Sequence, residues 1–372
     1  MKHLCIIILV CFSSTFALGQ ESKYAQLGQF LDSLVAKDKF MGTVLISENG
    51  VPVFQKAVGY ADLTTSKPME VNSKQRIGSV TKMFTAVLVF KAIEEGKLSL
   101  DQKLSSFYPQ IKNAEKITVS QLLQHRSGIF NITNRLDYNL YRTKPHTEEQ
   151  LLRMMLEGGS VFEPDSKADY SNSNFILLTF ILEKLYGKSY EYLLQERILN
   201  PLGMKGTYLF GPISVEKGET KSYLYNGGWQ EDLEAHPSIP LGAGVLTSTV
   251  SDLSLFASGL FGGKLISQES LGKMIELRDG FGRGAFLIPF YEKKSFGHTG
   301  GIDGFRAFLT HFPQENVTLS ILSNGMNYNN NDIVIAALSA QFDKEWTLPN
   351  FREIVISEEL MKKYSGTYTS TQ

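Results

Sequence analysis

A serine and a lysine in one short segment have the types and the spacing of a nucleophile and its base. In Ser79-Val80-Thr81-Lys82 the hydroxyl and the amine lie one helical turn apart, on the same face of a helix. The residues after Lys82 are mostly apolar, and loss of hydration lowers the pKa of a lysine, so its neutral amine can activate a hydroxyl. A serine that only caps a core helix fits the segment equally well. The same spacing also occurs at Ser214–Lys217 and Ser270–Lys273, so the motif is weak by itself.

Two further segments carry side chains that complement such a pair. Tyr170-Ser171-Asn172 offers a phenol that can relay a proton and an amide that can hold both a lysine and a substrate. His298-Thr299-Gly300 offers a hydroxyl for a substrate carbonyl or carboxylate, and a glycine on an edge strand lets a substrate backbone approach closely. A turn at the start of a strand would also use these glycines, so this segment is ambiguous alone.

The sequence lacks the patterns of several other chemistries. It contains no G-x-S-x-G, no P-loop, no G-x-G-x-x-G and no H-E-x-x-H, and its six histidines have no metal-ligand spacing. We therefore expect neither a cofactor nor a metal. The 37 Lys and Arg residues nearly balance the 38 Asp and Glu residues, which argues against a strong electrostatic nucleic-acid binder.

The first 19 residues are typical of a secretory signal peptide. A short basic start is followed by the apolar run Leu4–Phe12, which is too short to span a membrane, and small residues precede a cut before Gln20. The alternative is a buried N-terminal strand. Cleavage would remove both cysteines, Cys5 and Cys11, so we expect a secreted or periplasmic protein with no disulfide and no stable membrane span.

The elements that must position these side chains follow from periodicity and turn signals. An Asn-Gly turn at 49–50 predicts a hairpin of Gly42–Ile46 and Val51–Val58. Helical spacing and apolar runs predict further helices and strands. The predicted helices are Ser22–Lys39, Ser79–Glu95, Val119–His125, Glu148–Leu156, Phe175–Leu185, Tyr190–Leu199 and about Asn331–Phe342. The later predicted strands are Arg283–Tyr291, Phe305–Phe312 and Val317–Leu322. Strands at both ends with helices between them predict an α/β domain interrupted by a helical insertion.

Six segments occur in an order that resembles the serine β-lactamase-related hydrolases, in the class C branch with D-alanyl-D-alanine carboxypeptidases, D-aminopeptidases and esterases. The resemblance covers nearly the whole chain after the predicted signal. Its markers are Ile77–Lys82, Leu122–Ile129, Tyr170–Asn174, Pro201–Met204, Leu241–Val245 and Gly297–Phe305. The resemblance implies a β-lactamase/transpeptidase-like fold, in which helices flank an antiparallel sheet and an all-helical domain packs at its edge. We expect the α/β part at about 20–97 and 240–346 and the helical part at about 98–239.

The same resemblance implies a role for each site residue. Ser79 is the acylated nucleophile, Lys82 its base, and Tyr170 a second acid/base that passes a proton to the leaving group. Asn172 orients Lys82 and binds substrate. The substrate-binding edge consists of His298, which stands where many members have lysine, together with Thr299 and Gly301. The backbone N–H groups of Ser79 and Gly301 form the oxyanion hole.

Three further expectations concern charge, substrate and the end of the chain. The histidine at 298 predicts a charge that varies with pH near neutrality and weakens the case for a true β-lactamase. Arg283 and Arg306 could bind a substrate carboxylate, although exposed surface arginines are the more common case. Residues 347–372 look like the start of a small appended β domain.

The expected function is a hydrolase of amide or ester bonds in D-amino-acid peptides or small esters, acting through an acyl-enzyme on Ser79. The partner is a small-molecule or peptide substrate, with peptidoglycan fragments among the candidates. The alternative is an inactive penicillin-binding-like module with a binding or sensory role on the same fold.

Overall fold

The computed structural model describes residues 23–351 and 357–368. The predicted signal peptide, residues 1–19, lies outside them. Within the described residues, no helix is both long enough and apolar enough to cross a membrane.

One large sheet organises the structure. The described strands are β1 Phe40–Glu48, β2 Val51–Val58, β3 Tyr60–Asp62, β4 Lys67–Pro68, β5 Gln75–Arg76, β6 Tyr208–Leu209, β7 Tyr223–Tyr225, β8 Trp229–Glu231, β9 Leu246–Ser248, β10 Phe286–Phe290, β11 Lys293–Ile302, β12 Phe305–Phe312 and β13 Val317–Met326. The strand order of the large sheet is β10-β11-β12-β13-β1-β2, and every neighbouring pair along this path is antiparallel. A short hairpin, β7–β8, joins β13 at its end, while β5, β9 and β6 form a separate small sheet.

Helices cover both faces of this sheet. In the described residues the α-helices are α1 at residues 23–36, α2 Thr81–Glu94, α3 Val119–Leu123, α4 Tyr138–Tyr141, α5 Glu148–Gly158, α6 Asn172–Tyr186, α7 Tyr190–Leu194, α8 Asn200–Leu202, α9 Val250–Phe261, α10 Gln268–Ile275, α11 Asn330–Gln341 and α12 Glu358–Tyr364. Helices α1 and α11 pack on one face of the sheet, and α2 and α9 pack on the other. The fold is thus the expected α/β arrangement with an antiparallel sheet.

Alternating side chains divide the core into two layers. Val44 and Ile46 of β1 pack with α1 and α11, whereas Leu45 between them belongs to the larger cluster that contains α2 and α6. This is the two-residue period of a strand buried on both faces. Helix α2 is buried along nearly its whole length, including Lys82 in its first turn.

The structure departs from the predicted elements in several places. Residues 205–239, expected within the helical part, instead contain β6, β7 and β8, because the amphipathic pattern ends near Met204. The list of predicted strands did not include β11, because its glycines interrupt the apolar alternation of a strand, although one interpretation of His298–Gly300 placed its glycine on an edge strand. In the described part of the tail, Ser357 caps α12 through Leu360 N, with acidic residues in the first turn and lysines in the last. That the tail is the start of a small β domain stays a prediction.

Candidate active site

A tight turn places the candidate nucleophile at the start of α2. Gly78–Val80 forms one turn of 3₁₀ helix that leads into the α-helix at Thr81. Ser79 caps neither segment, because Ile77 and Val80 hold the cap positions and no side chain bonds there. The hydroxyl of Ser79 instead lies 3.0 Å from the Lys82 amine. The structure therefore favours the reactive interpretation of this segment over the simple helix cap.

Lys82 is fully buried and has three oxygen neighbours. Its Nζ lies 2.7 Å from Asn172 Oδ1, 2.7 Å from the Ala243 carbonyl oxygen and 3.0 Å from Ser79 Oγ. Burial lowers its pKa well below the ordinary value for lysine. A neutral amine at this distance can accept the proton of the serine hydroxyl.

Tyr170 lies next to both Ser79 and Lys82. Its ring is within 4.8 Å of Lys82 Nζ and stacks on the His125 ring at 4.4 Å. Burial raises the Tyr170 pKa above its ordinary value, and a hydrogen bond with Ser79 opposes this rise. The phenol is therefore protonated at neutral pH and can donate a proton to a leaving group. His125, whose Nδ1 accepts from Ser171 N, supports this ring.

Asn172 starts α6 and faces two partners. Its Oδ1 accepts from Lys82, and its Nδ2 donates to Thr133 Oγ1 at 2.9 Å. The side chain thus lies between the lysine and the loop after α3, as expected for a residue that orients Lys82.

The edge of β11 forms the opposite wall of the site. Strand β10 pairs with β11 only as far as Gly297, so from His298 to Ile302 the only strand paired with β11 in the described chain is β12. Thr299 and Gly301 are exposed along this free edge. A substrate backbone could therefore lie beside these two residues.

His298 corrects one expectation from the sequence. Its side chain is buried against Phe286, with ring centroids 4.5 Å apart, and its Nδ1 bonds the Thr299 carbonyl oxygen. Burial is the main cause that lowers the pKa of His298 to about 3, with Lys82 adding to the effect. The predicted pH-dependent cation near neutrality is therefore wrong: this imidazole is neutral. A carbonyl can only accept, so Nδ1 carries the proton and the buried Nε2 is left as an unpaired acceptor.

Two glycines allow β11 to approach the nucleophile turn. A Cβ on Gly300 would lie 2.0 Å from the Ile77 carbonyl oxygen and 3.2 Å from Ser79 N. A Cβ on Gly78, which has a φ of +48°, would lie 2.8 Å from Gly301 N. The Ser79 and Gly301 amides are thereby held near each other, as an oxyanion hole requires. Gly301 itself has more room, since the atoms nearest to a Cβ there would be side-chain atoms of Arg306, from 3.6 Å.

These walls enclose an open cavity of about 370 Å³. It is lined by Ser79, Tyr170, Phe281, Phe286, His298, Thr299, Gly300 and Gly301. Arg283 is not among them: it bonds Ser120 Oγ, the Lys273 carbonyl and Glu276. Arg306 is exposed beside Gly301, and its Nη1 donates to the Asp303 and Phe305 carbonyls. Of the two arginines considered from the sequence, Arg306 is the one placed near the cavity.

Sequence reasoning missed several residues of the site. Phe281 and Phe286 line the cavity without any motif to mark them. The Ala243 carbonyl contacts Lys82, but it is a backbone atom, so no side chain in Leu241–Val245 marks this contact. Thr133 contacts Asn172, and its only signal was an Asn-x-Thr pattern that resembles a glycosylation sequon. Within the described residues, no group of three or more His, Cys, Asp or Glu side chains is arranged to hold a metal ion.

A buried ion cluster fixes the end of the β11 edge. Asp303, in the turn between β11 and β12, has a side chain that is only 1% exposed and accepts from both Arg76 and Arg142. Arg76 belongs to β5, just before the nucleophile turn, and Arg142 follows α4 of the helical part. The cluster therefore ties three parts of the chain together next to the catalytic edge.

The structure has an antiparallel sheet covered by helices, with a serine and a lysine at the start of one buried helix and a tyrosine just before another. This arrangement defines a serine hydrolase of the β-lactamase/transpeptidase-like fold. The family model described as Beta-lactamase matches residues 27–344. The chain therefore belongs to this family, the serine β-lactamase-related hydrolases.

Individual relatives agree with this assignment. The chain is 26% identical to penicillin-binding protein 4* of Bacillus subtilis (strain 168), over 94% of this chain and 84% of that protein. It is 28% identical to teichoic acid D-alanine hydrolase of Staphylococcus aureus, over 67% of this chain and 58% of that protein.

Among solved structures, D-amino acid amidase from Ochrobactrum anthropi SV3, complexed with L-phenylalanine, superposes with a TM-score of 0.77 at 25% identity, covering 87% of this chain and 99% of that one. An octameric penicillin-binding protein homologue from Pyrococcus abyssi gives a TM-score of 0.76 at 27% identity, covering 86% of this chain and 77% of that one.

Proposed function

We propose that this chain is a secreted or periplasmic serine hydrolase that forms an acyl-enzyme on Ser79 and cleaves amide or ester bonds of D-amino-acid compounds or small esters. The observation that carries the proposal is the buried Lys82 amine, 3.0 Å from Ser79 Oγ, with the protonated Tyr170 phenol beside them. The targeting part rests on the apolar N-terminal segment of the sequence.

The geometry supports a two-step reaction. Lys82 accepts the Ser79 proton as Oγ attacks the substrate carbonyl, and the Ser79 and Gly301 amides bind the developing oxyanion. Tyr170 donates its proton to the leaving amine or alcohol and regains one from the Lys82 ammonium, which leaves an ester on Ser79. Water then attacks this ester with the same groups acting in reverse, so no net proton is gained or lost.

Two features bear on the substrate. The D-amino acid amidase and the teichoic acid D-alanine hydrolase are both named for D-amino acid substrates, which favours a D-aminoacyl group here. The cavity lining carries no charged side chain, because His298 is neutral. A substrate without a carboxylate near the cleaved bond therefore fits the lining better than a D-Ala-D-Ala peptide, which would have to reach Arg306.

A substrate panel tests the proposal. We would compare a D-amino-acid amide, a D-alanyl ester, a D-Ala-D-Ala peptide, a nitrophenyl ester and a chromogenic cephalosporin, each with wild type and Ser79→Ala. We expect turnover of at least one D-aminoacyl compound or ester that disappears in Ser79→Ala. Absence of Ser79-dependent turnover together with stable ligand binding would favour the alternative, an inactive binding or sensory module.

A further inference from the structure

The Asn131-Ile132-Thr133 segment resembles a glycosylation sequon, but its side chains point to a different use. Asn131 is only 9% exposed, and its Oδ1 is occupied by hydrogen bonds inside the protein. The segment forms a short 3₁₀ turn after α3 and lies directly against the start of α6. It therefore contacts the residue that orients Lys82.

The direction of each hydrogen bond in this segment is determined by its partners. Asn131 Oδ1 accepts from two backbone N–H groups, those of Thr133 at 3.3 Å and Asn172 at 3.1 Å. A backbone N–H can only donate, so the oxygen of Asn131 must face them. The Thr133 hydroxyl lies 3.0 Å from the same oxygen and must donate its single hydrogen to it.

The orientation of the Asn172 amide follows from this. Because Thr133 Oγ1 has given its hydrogen to Asn131, it can only accept from Asn172. The Asn172 Nδ2 therefore faces Thr133, at 2.9 Å, and its Oδ1 faces Lys82, at 2.7 Å.

This orientation in turn decides where the lysine lone pair points. A neutral amine has two hydrogens and one lone pair. Asn172 Oδ1 and the Ala243 carbonyl are both acceptors, so they take the two hydrogens of Lys82. The lone pair is left for the third neighbour, the Ser79 hydroxyl.

We propose that Asn131 and Thr133 are positioning residues that set the direction of proton transfer in the site, because together they hold the Asn172 amide with its oxygen towards Lys82. The proposal rests on the assignment of Ser79 as nucleophile and Lys82 as base. If the amide rotated, its N–H would face the amine lone pair, compete with Ser79 for it and disfavour the ammonium form of Lys82.

Substitution of Thr133 tests this proposal with closely matched variants. Thr133→Val keeps the shape of the side chain but removes the hydroxyl oxygen that accepts from Asn172, so the Asn172 amide is free to rotate. Thr133→Ser keeps the hydroxyl. Thr318→Val makes the same change in a second Asn-x-Thr pattern, Asn316-Val317-Thr318, where the hydroxyl bonds His311 of the sheet. Thermal unfolding would first establish that each variant is folded.

Two measurements then distinguish a role of Thr133 in positioning the Asn172 amide from a merely structural role. The first is the pre-steady-state acylation rate with a nitrophenyl ester, as a function of pH. The second is the pKa of Lys82 in the resting protein, from NMR of its side chain labelled with ¹³C and assigned with Lys82→Arg. The NMR measurement needs no turnover, so it tests the inference even if the ester is not a substrate.

For Thr133→Val we expect acylation to be about tenfold slower, the rate equivalent of one net hydrogen bond. We also expect a lower Lys82 pKa, because the ammonium loses an acceptor, with the acid limb of the rate profile displaced in the same direction. Thr133→Ser should restore both, and Thr318→Val should resemble wild type. A Lys82 titration that is the same in Thr133→Val and wild type would overturn the inference, whether or not the rate falls. A wild-type protein that is never acylated would instead refute the proposed function.

Discussion

The close approach of β11 to the nucleophile turn gives the sharpest structural prediction, and Gly300→Ala tests it. The added methyl would lie 2.0 Å from the Ile77 carbonyl oxygen, a backbone atom that cannot rotate away as a side chain can. Side-chain Cβ atoms in real structures stay at least 3.0 Å from such atoms. The free edge of β11 and the turn that carries Ser79 must therefore separate by about 1 Å.

The separation acts directly on the reacting groups. The same strand edge carries the Gly301 amide and the Thr299 hydroxyl, while the turn carries Ser79 and its amide. A displacement of about 1 Å in a catalytic site can cost about 100-fold in rate, and loss of one oxyanion donor costs about 10²–10³. We therefore expect Gly300→Ala to lower the acylation rate by about 100-fold.

Stopped-flow acylation with a nitrophenyl ester measures this effect, and two alanine variants serve as comparisons. Gly301→Ala adds a methyl whose nearest neighbours are side-chain atoms of Arg306, from 3.6 Å, so it should lose less activity than Gly300→Ala. Gly272→Ala lies on the exposed face of α10, where nothing is within 4 Å of the new methyl, so it should leave the rate unchanged and slightly stabilise the helix. A folded Gly300→Ala protein with the wild-type acylation rate would refute the proposed apposition of strand and turn.

Three other predictions follow from the site. His298 should show the Nδ1–H tautomer in ¹⁵N NMR and no titration between pH 5 and 8. Because its folded pKa of about 3 lies below its unfolded pKa near 6.5, the folded protein should lose stability as the pH falls from about 6.5 towards about 3. A titration of His298 near pH 6.5 would contradict its burial. Lys82→Ala should keep the fold but lose acylation, and an unchanged rate would remove Lys82 from the mechanism. Arg306→Met should lower kcat/KM for a D-Ala-D-Ala peptide but not for a neutral ester, whereas equal effects on both would exclude a contact with the substrate carboxylate.

Strands and helices with strong local signals were predictable from the sequence. The Asn49-Gly50 turn predicted the β1–β2 hairpin, and the strand Phe305–Phe312 was predicted with its observed bounds. Helices α9 and α10 and strand β11 were missed. In β11 the glycines needed for the approach to Ile77 and Leu309 also remove the apolar alternation that marks a strand. Here the requirements of tertiary packing override local propensity.

Without the family resemblance, which supplied Tyr170, Asn172, Thr299 and Gly301, the site could be predicted only where a single segment determines it. The proximity of Ser79 and Lys82 follows from helix geometry, so spacing alone predicted it. The charge of His298 could not be predicted, because its burial depends on Phe286 and Tyr170, which come from distant parts of the chain. The role of Thr133 was likewise hidden, because it depends on a contact with Asn172 across 39 residues.

The central claim is that Ser79 is the nucleophile. Intact-protein mass spectrometry after reaction with a fluorophosphonate probe, followed by peptide mapping, tests it most directly. We predict one adduct per chain, located on the peptide that contains Ser79, and none in Ser79→Ala. An adduct on another residue, or one that persists in Ser79→Ala, would contradict the account.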